Sequence, residues 1–340
     1  MKNALNRLIK RTTVQGEQKM FNWQWGQGVV LYALHRVYEN TKDESIIEFI
    51  KSWVDERLDK ELPGRSINTT SPFSTVVELY KMTGDEKYKK ACDVFAKYLM
   101  GENPRCEKGG FEHTCTGNSC PNQMWIDTLF MCGIFLVKYG LLTGEDMYIH
   151  EALRQFVVHY DFLSDKETGL VYHGYYSDDR TQRGVLWGRG NGWFSAASAI
   201  VIDLLKDREA DFPVLAKIKE NYLHHCMGAL NLQQRNGSWN TVINDNEDSY
   251  CEASGTSGMA FGIIRGIEMG LIDEFYEEEM KNSIKFLVDC VDEDGVLTCA
   301  STGTCVMDGK DKYNEVPVRF EEFSQGLGIL ALSVDEKWYK

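Results

Sequence analysis

One carboxyl group stands in surroundings that suit proton transfer. Asp127 lies within Pro121-Asn122-Gln123-Met124-Trp125-Ile126-Asp127-Thr128-Leu129-Phe130-Met131. Asn118 or Ser119 offers an N-cap and Pro121 suits a first turn, so the spacing predicts Asp127 early in a helix. Two effects then compete. A helix N-terminus favours the ionised carboxylate, whereas the apolar bulk of Met124, Trp125, Phe130 and Met131 favours the neutral acid. A raised pKa would suit a general acid. An acidic residue in a first helical turn is equally what helix chemistry alone selects.

A second segment, Leu186-Trp187-Gly188-Arg189-Gly190-Asn191-Gly192-Trp193-Phe194, joins three glycines, two tryptophans and an arginine. The glycines allow a ligand close to the backbone. Trp187 and Trp193 offer flat faces to a sugar or to the protein's own core. Arg189 offers a planar fork for a carboxylate. His113 and His173 fall in loop-like sequence and have the side chain best suited to acid–base work near neutrality. His113, Cys115 and Cys120 match no standard zinc spacing, so no metal is expected. Asn68, in Asn68-Thr69-Thr70-Ser71-Pro72-Phe73, puts a polar group where a helix should open, which N-capping alone also explains.

These residues need elements to hold them. Leu31-Tyr32-Ala33-Leu34 runs through Asn40-Thr41-Lys42-Asp43-Glu44 into Ile46-Ile47. Val76-Val77-Glu78-Leu79 runs through Thr83-Gly84-Asp85-Glu86 into Tyr88, and Gly133-Ile134-Phe135-Leu136 through Thr143-Gly144-Glu145-Asp146 into Tyr148. Each reads as helix, tight turn, helix. Weaker copies begin at Trp193 and Gly258. A last helix, Phe323 to Leu332, can pair with an N-terminal helix from Leu5 to Val14 and close a circle of six hairpins. The pattern predicts an all-α (α/α)6 toroid filling 1–340 as one domain. The first helix of each pair is rich in small and apolar residues and should lie inside. The links from outer to inner helices, about 101–120, 164–191, 230–255 and 292–321, are long and must emerge on one face. Long loops on a rigid scaffold are where sites form. An open helical-repeat binding protein is the rival reading.

Bulk properties narrow the partners. Thirty-seven basic against 51 acidic residues give a net charge of −14, which argues against nucleic acid and anionic membrane. No apolar run approaches membrane-spanning length. Ten cysteines without a secretory-type start favour a reducing, cytoplasmic setting.

The sequence resembles the unsaturated rhamnogalacturonyl hydrolases of glycoside hydrolase family 105 and, more distantly, the unsaturated glucuronyl hydrolases of family 88. The resemblance is carried by Met124 to Met131, by Trp187-Gly188-Arg189-Gly190-Asn191-Gly192-Trp193, by Ser254-Gly255-Thr256-Ser257-Gly258-Met259, and by Gly303-Thr304-Cys305 with Asp308-Gly309. It implies an (α/α)6 fold and hydration of a 4,5-unsaturated uronic acid at the end of a small oligosaccharide. Asp127 matches the family's acid/base. His173, Trp187, Arg189 and Trp193 match its substrate-contacting positions, and His113 and Asn68 join them as binding candidates. Asn68 stands where the family often has a second Asp. No cofactor or metal is implied. Three other readings remain: an inverting hydrolase using Glu112, Asp178 or Glu252 as a second carboxylate, an epimerase using His113 and His173, and a non-catalytic sugar-binding ring.

Overall fold

The computed structural model describes residues 2–13, 22–115 and 120–340. Its helices are α1 (Lys2–Thr13), α2 (Trp25–Thr41), α3 (Glu44–Leu58), α4 (Ile67–Thr70), α5 (Phe73–Thr83), α6 (Glu86–Gly101), α7 (Ile134–Thr143), α8 (Asp146–Leu163), α9 (Gly188–Leu204), α10 (Leu215–Leu230), α11 (Ala253–Glu268), α12 (Glu277–Asp289), α13 (Lys310–Asn314) and α14 (Glu322–Leu332). Helices α2, α5, α7, α9, α11 and α14 pack in that order, and α14 packs back on α2. They form a closed inner ring. Their partners α3, α6, α8, α10, α12 and α1 lie outside it. The closure settles the rival reading: this is a toroid, not an open solenoid.

The repeat signal has a visible physical origin. The first three inner helices end in left-handed residues, Lys42, Gly84 and Gly144. Directly after them, the Asp43 and Asp85 carboxylates accept hydrogen bonds from the amides of Ser45 and Lys87, capping the outer helices. Glu145 makes no such bond, so the third turn relies on its glycine. The N-terminal helix, expected over Leu5 to Val14, is found as Lys2–Thr13; Val14 lies outside the described residues. It packs on α14, and Arg7 reaches the carbonyl of Val291.

Small residues let the inner helices approach closely. A Cβ built on Gly258 would stand 2.7 Å from the backbone of Gly192, and one on Gly192 2.8 Å from the carbonyl of Gly255. Gly326 meets Val29 and Val30 in the same way. Backbone cannot yield as a flexible side chain can. Gly258→Ala should therefore destabilise the ring by about 1–3 kcal/mol through overpacking. Urea titration of the variant would show it as a lowered midpoint, and an unchanged midpoint would mean that the helices can separate without penalty.

The fold carries one feature that the helical pattern did not announce. Strands β1 (Gln123–Trp125), β2 (Gly174–Tyr176) and β3 (Thr181–Arg183) form a small antiparallel sheet in the order β1-β2-β3. Met124 pairs with Tyr175 and Trp125 with Gly174. Asp127 is thus not early in a helix begun near Pro121. Asn122 takes a left-handed backbone (φ 60°), the chain runs as β1, and helix resumes only at a π-helical turn, Leu129–Gly133, that leads into α7. Strand pairing across two loops overrides local helical preference here. The proposed caps Asn118 and Ser119 lie outside the described residues.

Candidate active site

The long links are stitched to one another by backbone hydrogen bonds. The Asn68 amide donates to Thr114, the His113 amide to Gln123, the Ile126 amide to His173, and the His173 amide to Val185. The Gly188 amide then donates to Thr241, and the Ala253 amide to Cys299. Asn68, His113, Asp127, His173 and Arg189 therefore belong to one continuous loop layer over the ring.

Asp127 sits at the junction of β1 and the π-helical turn. Its backbone carbonyl accepts from Phe130 and Met131, which anchors the residue to the turn. π-helical turns recur at functional sites because they re-aim a neighbouring side chain. The carboxyl is almost wholly buried, and Oδ2 has no hydrogen-bond partner among the described residues. Burial pushes its pKa up to about 7, against the opposing pull of Arg189, its own backbone and Trp193. No second carboxylate among the described residues contributes to that shift. Near neutrality this group is poised to give or take a proton.

His173 faces it, with Nε2 3.6 Å from Oδ2. The ring is buried, stacks on Trp187 at 4.0 Å and meets Trp125 edge-on at 5.2 Å. Burial, then the charges of Arg189 and His113, hold its pKa well below the usual histidine range, so it is neutral. His113 stacks on the other side of this cluster, at 4.6 Å from Trp125, with Nδ1 2.9 Å from the Thr128 hydroxyl. Burial lowers its pKa to about 3. Both histidines act here as neutral hydrogen-bonding groups. Asn68 lies in α4, a single turn boxed by Ser66 and Thr69, and not at the start of α5 as its spacing implied. It is only half buried, and its amide donates to Sγ of Cys115 at 3.4 Å.

Arg189 departs from the free fork expected. Nη1 donates to the Ser301 hydroxyl at 2.7 Å and its carbonyl at 3.0 Å, and to the Ser254 hydroxyl at 3.2 Å. Nη2 donates to the Thr302 carbonyl at 2.7 Å and the Thr304 hydroxyl at 2.9 Å. The guanidinium is sandwiched by Trp187 and Phe323, at 4.4 and 4.7 Å. Among the described residues only Nε lacks a partner. Protein acceptors have consumed the fork. Trp187 and Trp193, 2% and 0% exposed, likewise pack inward and are not open sugar platforms in this conformation. The glycine spaces are filled too: Gly190 by Ile126 and Trp187, and Gly192 by α11.

Of the carboxylates weighed as a second acid or base, Glu252 caps α11 through the Gly255 amide and also accepts from Ser254 and Ser301. Glu112 accepts from the Asn122 amide, and Asp178 from the Asn122 side chain. Sequence reasoning passed over Tyr313, whose hydroxyl lies 2.7 Å from Nδ1 of His173. Among the described residues no group of three or more His, Cys, Asp or Glu converges as a metal site.

This geometry meets a family-wide match. The model of Glycosyl Hydrolase Family 88 matches residues 1–337. The chain belongs to glycosyl hydrolase family 88. As a family 88 chain it is a glycoside hydrolase, with relatives in the neighbouring family 105. It is 33% identical over 97% of its length, and 93% of the relative's, to the unsaturated rhamnogalacturonyl hydrolase YesR of Bacillus subtilis. Among solved structures it resembles a possible family 105 member from Klebsiella pneumoniae, with a TM-score of 0.92 at 28% identity, covering 98% of this chain and 93% of that one. It also shares its fold with the unsaturated glucuronyl hydrolase of Bacillus sp. GL1, with a TM-score of 0.74 at 17% identity over 99% and 97% of the two chains.

Proposed function

We propose that this family 88 chain, acting as one (α/α)6 domain over 1–340, removes a 4,5-unsaturated uronic acid from the end of lyase-generated oligosaccharides. The preferred substrates are unsaturated rhamnogalacturonan disaccharides. The observation that carries the reading is Asp127: a buried carboxyl with a pKa of about 7 and no second carboxylate among the described residues acting on it. Ordinary glycosidases place two carboxyl groups about the bond they cleave. Hydration of an enol ether needs one. Protonated Asp127 gives its proton to C4. The carboxylate then takes a proton from the water that attacks C5. The hemiketal so formed opens without further help and frees the neighbouring sugar.

The surrounding residues are assigned by their environments. His173 and His113, both neutral, are hydrogen-bonding groups beside the reacting carboxyl. Asn68, the least buried of the set, is the group placed to meet a sugar hydroxyl. Arg189, Trp187 and Trp193 form the wall that shapes the site, with the Arg189 charge favouring an anionic sugar nearby. The similarity to YesR supports the choice of rhamnogalacturonan over glycosaminoglycan products. No helix among the described residues is long and apolar enough to cross a membrane. Cys92, Cys132, Cys226 and Cys290 are buried thiols, in keeping with a cytoplasmic enzyme that takes up small imported fragments.

The test is direct. Incubation with unsaturated disaccharides from rhamnogalacturonan lyases should abolish the ultraviolet absorbance of the conjugated double bond, faster than with products of glycosaminoglycan lyases. In heavy-oxygen water the label should enter at C5 of the former uronate. Label on the reducing carbon of the released sugar would transfer the case to ordinary glycosidic cleavage.

A further inference from the structure

Two buried polar atoms that face each other lack hydrogen-bond partners among the described residues: Nε2 of His173 and Oδ2 of Asp127. Whether they attract depends on which nitrogen of the neutral imidazole carries the hydrogen. The group on the far side of the ring decides that. Tyr313, fully buried in α13, has its hydroxyl 2.7 Å from Nδ1. The same hydroxyl accepts a hydrogen bond from the Met307 amide at 3.3 Å. A phenol has a single proton to give, and Nδ1 is its only acceptor partner among the described residues. Nδ1 thus accepts, and the ring hydrogen must sit on Nε2. The opposite tautomer would strand the phenol proton in a buried site and turn an imidazole lone pair toward a carboxyl oxygen.

We propose that Tyr313 is a positioning residue: by donating to Nδ1 it fixes His173 as the Nε2–H tautomer, which holds Oδ2 of Asp127 as an acceptor and leaves the acidic proton on Oδ1. Oδ2 is sealed from solvent while the side chain as a whole keeps 13% exposure, so Oδ1 is the oxygen with access to the cleft. As the proton leaves for substrate, charge grows on the carboxyl. The 3.6 Å separation can then shorten into a charge-assisted hydrogen bond. The inference rests on Asp127 being the acid. The charged and titratable groups around the relay are Arg189 from α9, which faces both Asp127 and His173; His113, which faces His173; and Asp308 and Tyr176, which face Tyr313. None of these supplies Nδ1 with a donor in place of the phenol.

Tyr313→Phe removes one oxygen and keeps the ring. We expect kcat to fall about tenfold or more with KM changed less than about twofold, because the substrate's own contacts persist. The alkaline limb of the kcat profile should move up by roughly half a pH unit, since the ionised carboxyl has lost an oriented donor. A purely structural role would lower the folded fraction and leave that limb in place. Nitrogen-15 spectra of histidine-labelled wild-type enzyme, without substrate, give a reading that needs no variant. They should show His173 with a bare Nδ1 and a protonated Nε2. A protonated Nδ1, or a Tyr313→Phe enzyme with wild-type kcat and limb, overturns the inference. If Asp127→Asn keeps its activity, the parent reading is the one that fails. If Asp127→Asn is inactive while Tyr313→Phe is unaltered, only the positioning role falls.

Discussion

Asp127→Asn is expected to lower kcat by roughly a hundredfold to ten-thousandfold, the range for loss of general acid–base help, with substrate binding nearly intact. Asparagine has almost the same shape, and Trp193 and His173 can still pack against it. Its amide cannot deliver a proton to carbon or accept one from water. The wild-type enzyme should respond to pH in the matching sense. Burial raises Asp127 to about 7, so the acid form falls away as pH rises through 7, and the alkaline limb of kcat/KM, which follows the free enzyme, should lie there. That limb should be missing from the residual activity of the variant. Stability gives an independent check. A carboxyl whose folded pKa lies above its unfolded value favours folding fully only below about pH 4, and that contribution is lost as pH rises toward 7 and beyond. The asparagine variant escapes this. It should melt at the same temperature as wild type near pH 4 and higher than wild type at pH 8, by an amount equivalent to a few kcal/mol. A variant that melts lower than wild type at pH 8 would show that the buried carboxylate is not under the strain its surroundings imply.

How much of this was readable beforehand varies with the range of the interaction involved. The hairpins were legible because their signals are local: apolar residues at helical spacing, then Thr83-Gly84-Asp85 or Thr143-Gly144-Glu145 as stop and start. The loop face followed from connectivity alone. Asp127 stood out by its apolar neighbours, and burial does raise its pKa as that reading required. Its placement in a helix was wrong, because the pairing of Met124 with Tyr175 joins segments far apart in the chain. The same pairing brings His173 to Asp127, and nothing near either residue announces it. Tyr313 stands in a polar stretch, Lys310 to Asn314, with no periodicity to mark it as buried. Trp187 and Trp193 show a different limit. An indole that packs against its own protein and one that stacks on a sugar are the same residue type in the same glycine-rich context, and only the filled spaces around Gly190 and Gly192 tell them apart.

Arg189 separates the sequence reading from the structural one by experiment. If its fork held the uronate carboxylate, Arg189→Met would raise KM and leave stability untouched. In the structure the fork ties α9 to Ser254 at the start of α11 and to the 301–304 segment, and lies 3.8 Å from the buried Glu252 carboxylate. Removing the guanidinium leaves the Ser301 carbonyl without a donor among the described residues and withdraws the only countercharge within ion-pair reach of Glu252 among them. Breaking a buried pair from one side costs about 3–5 kcal/mol. For a chain of this size that corresponds to a fall in melting temperature on the order of 4–7 °C. Arg189→Lys should lie between, because an ammonium keeps the charge but cannot span Ser301 and Thr304 together. Glu252 retains the Gly255 and Ser301 amides as donors, so neutralising it as well should restore part of the loss. Glu252→Gln in the Arg189→Met background is therefore expected to be less harmful than the two single changes added together. Wild-type melting in Arg189→Met, with a KM raised tenfold or more, would return the residue to the role its planar fork first implied.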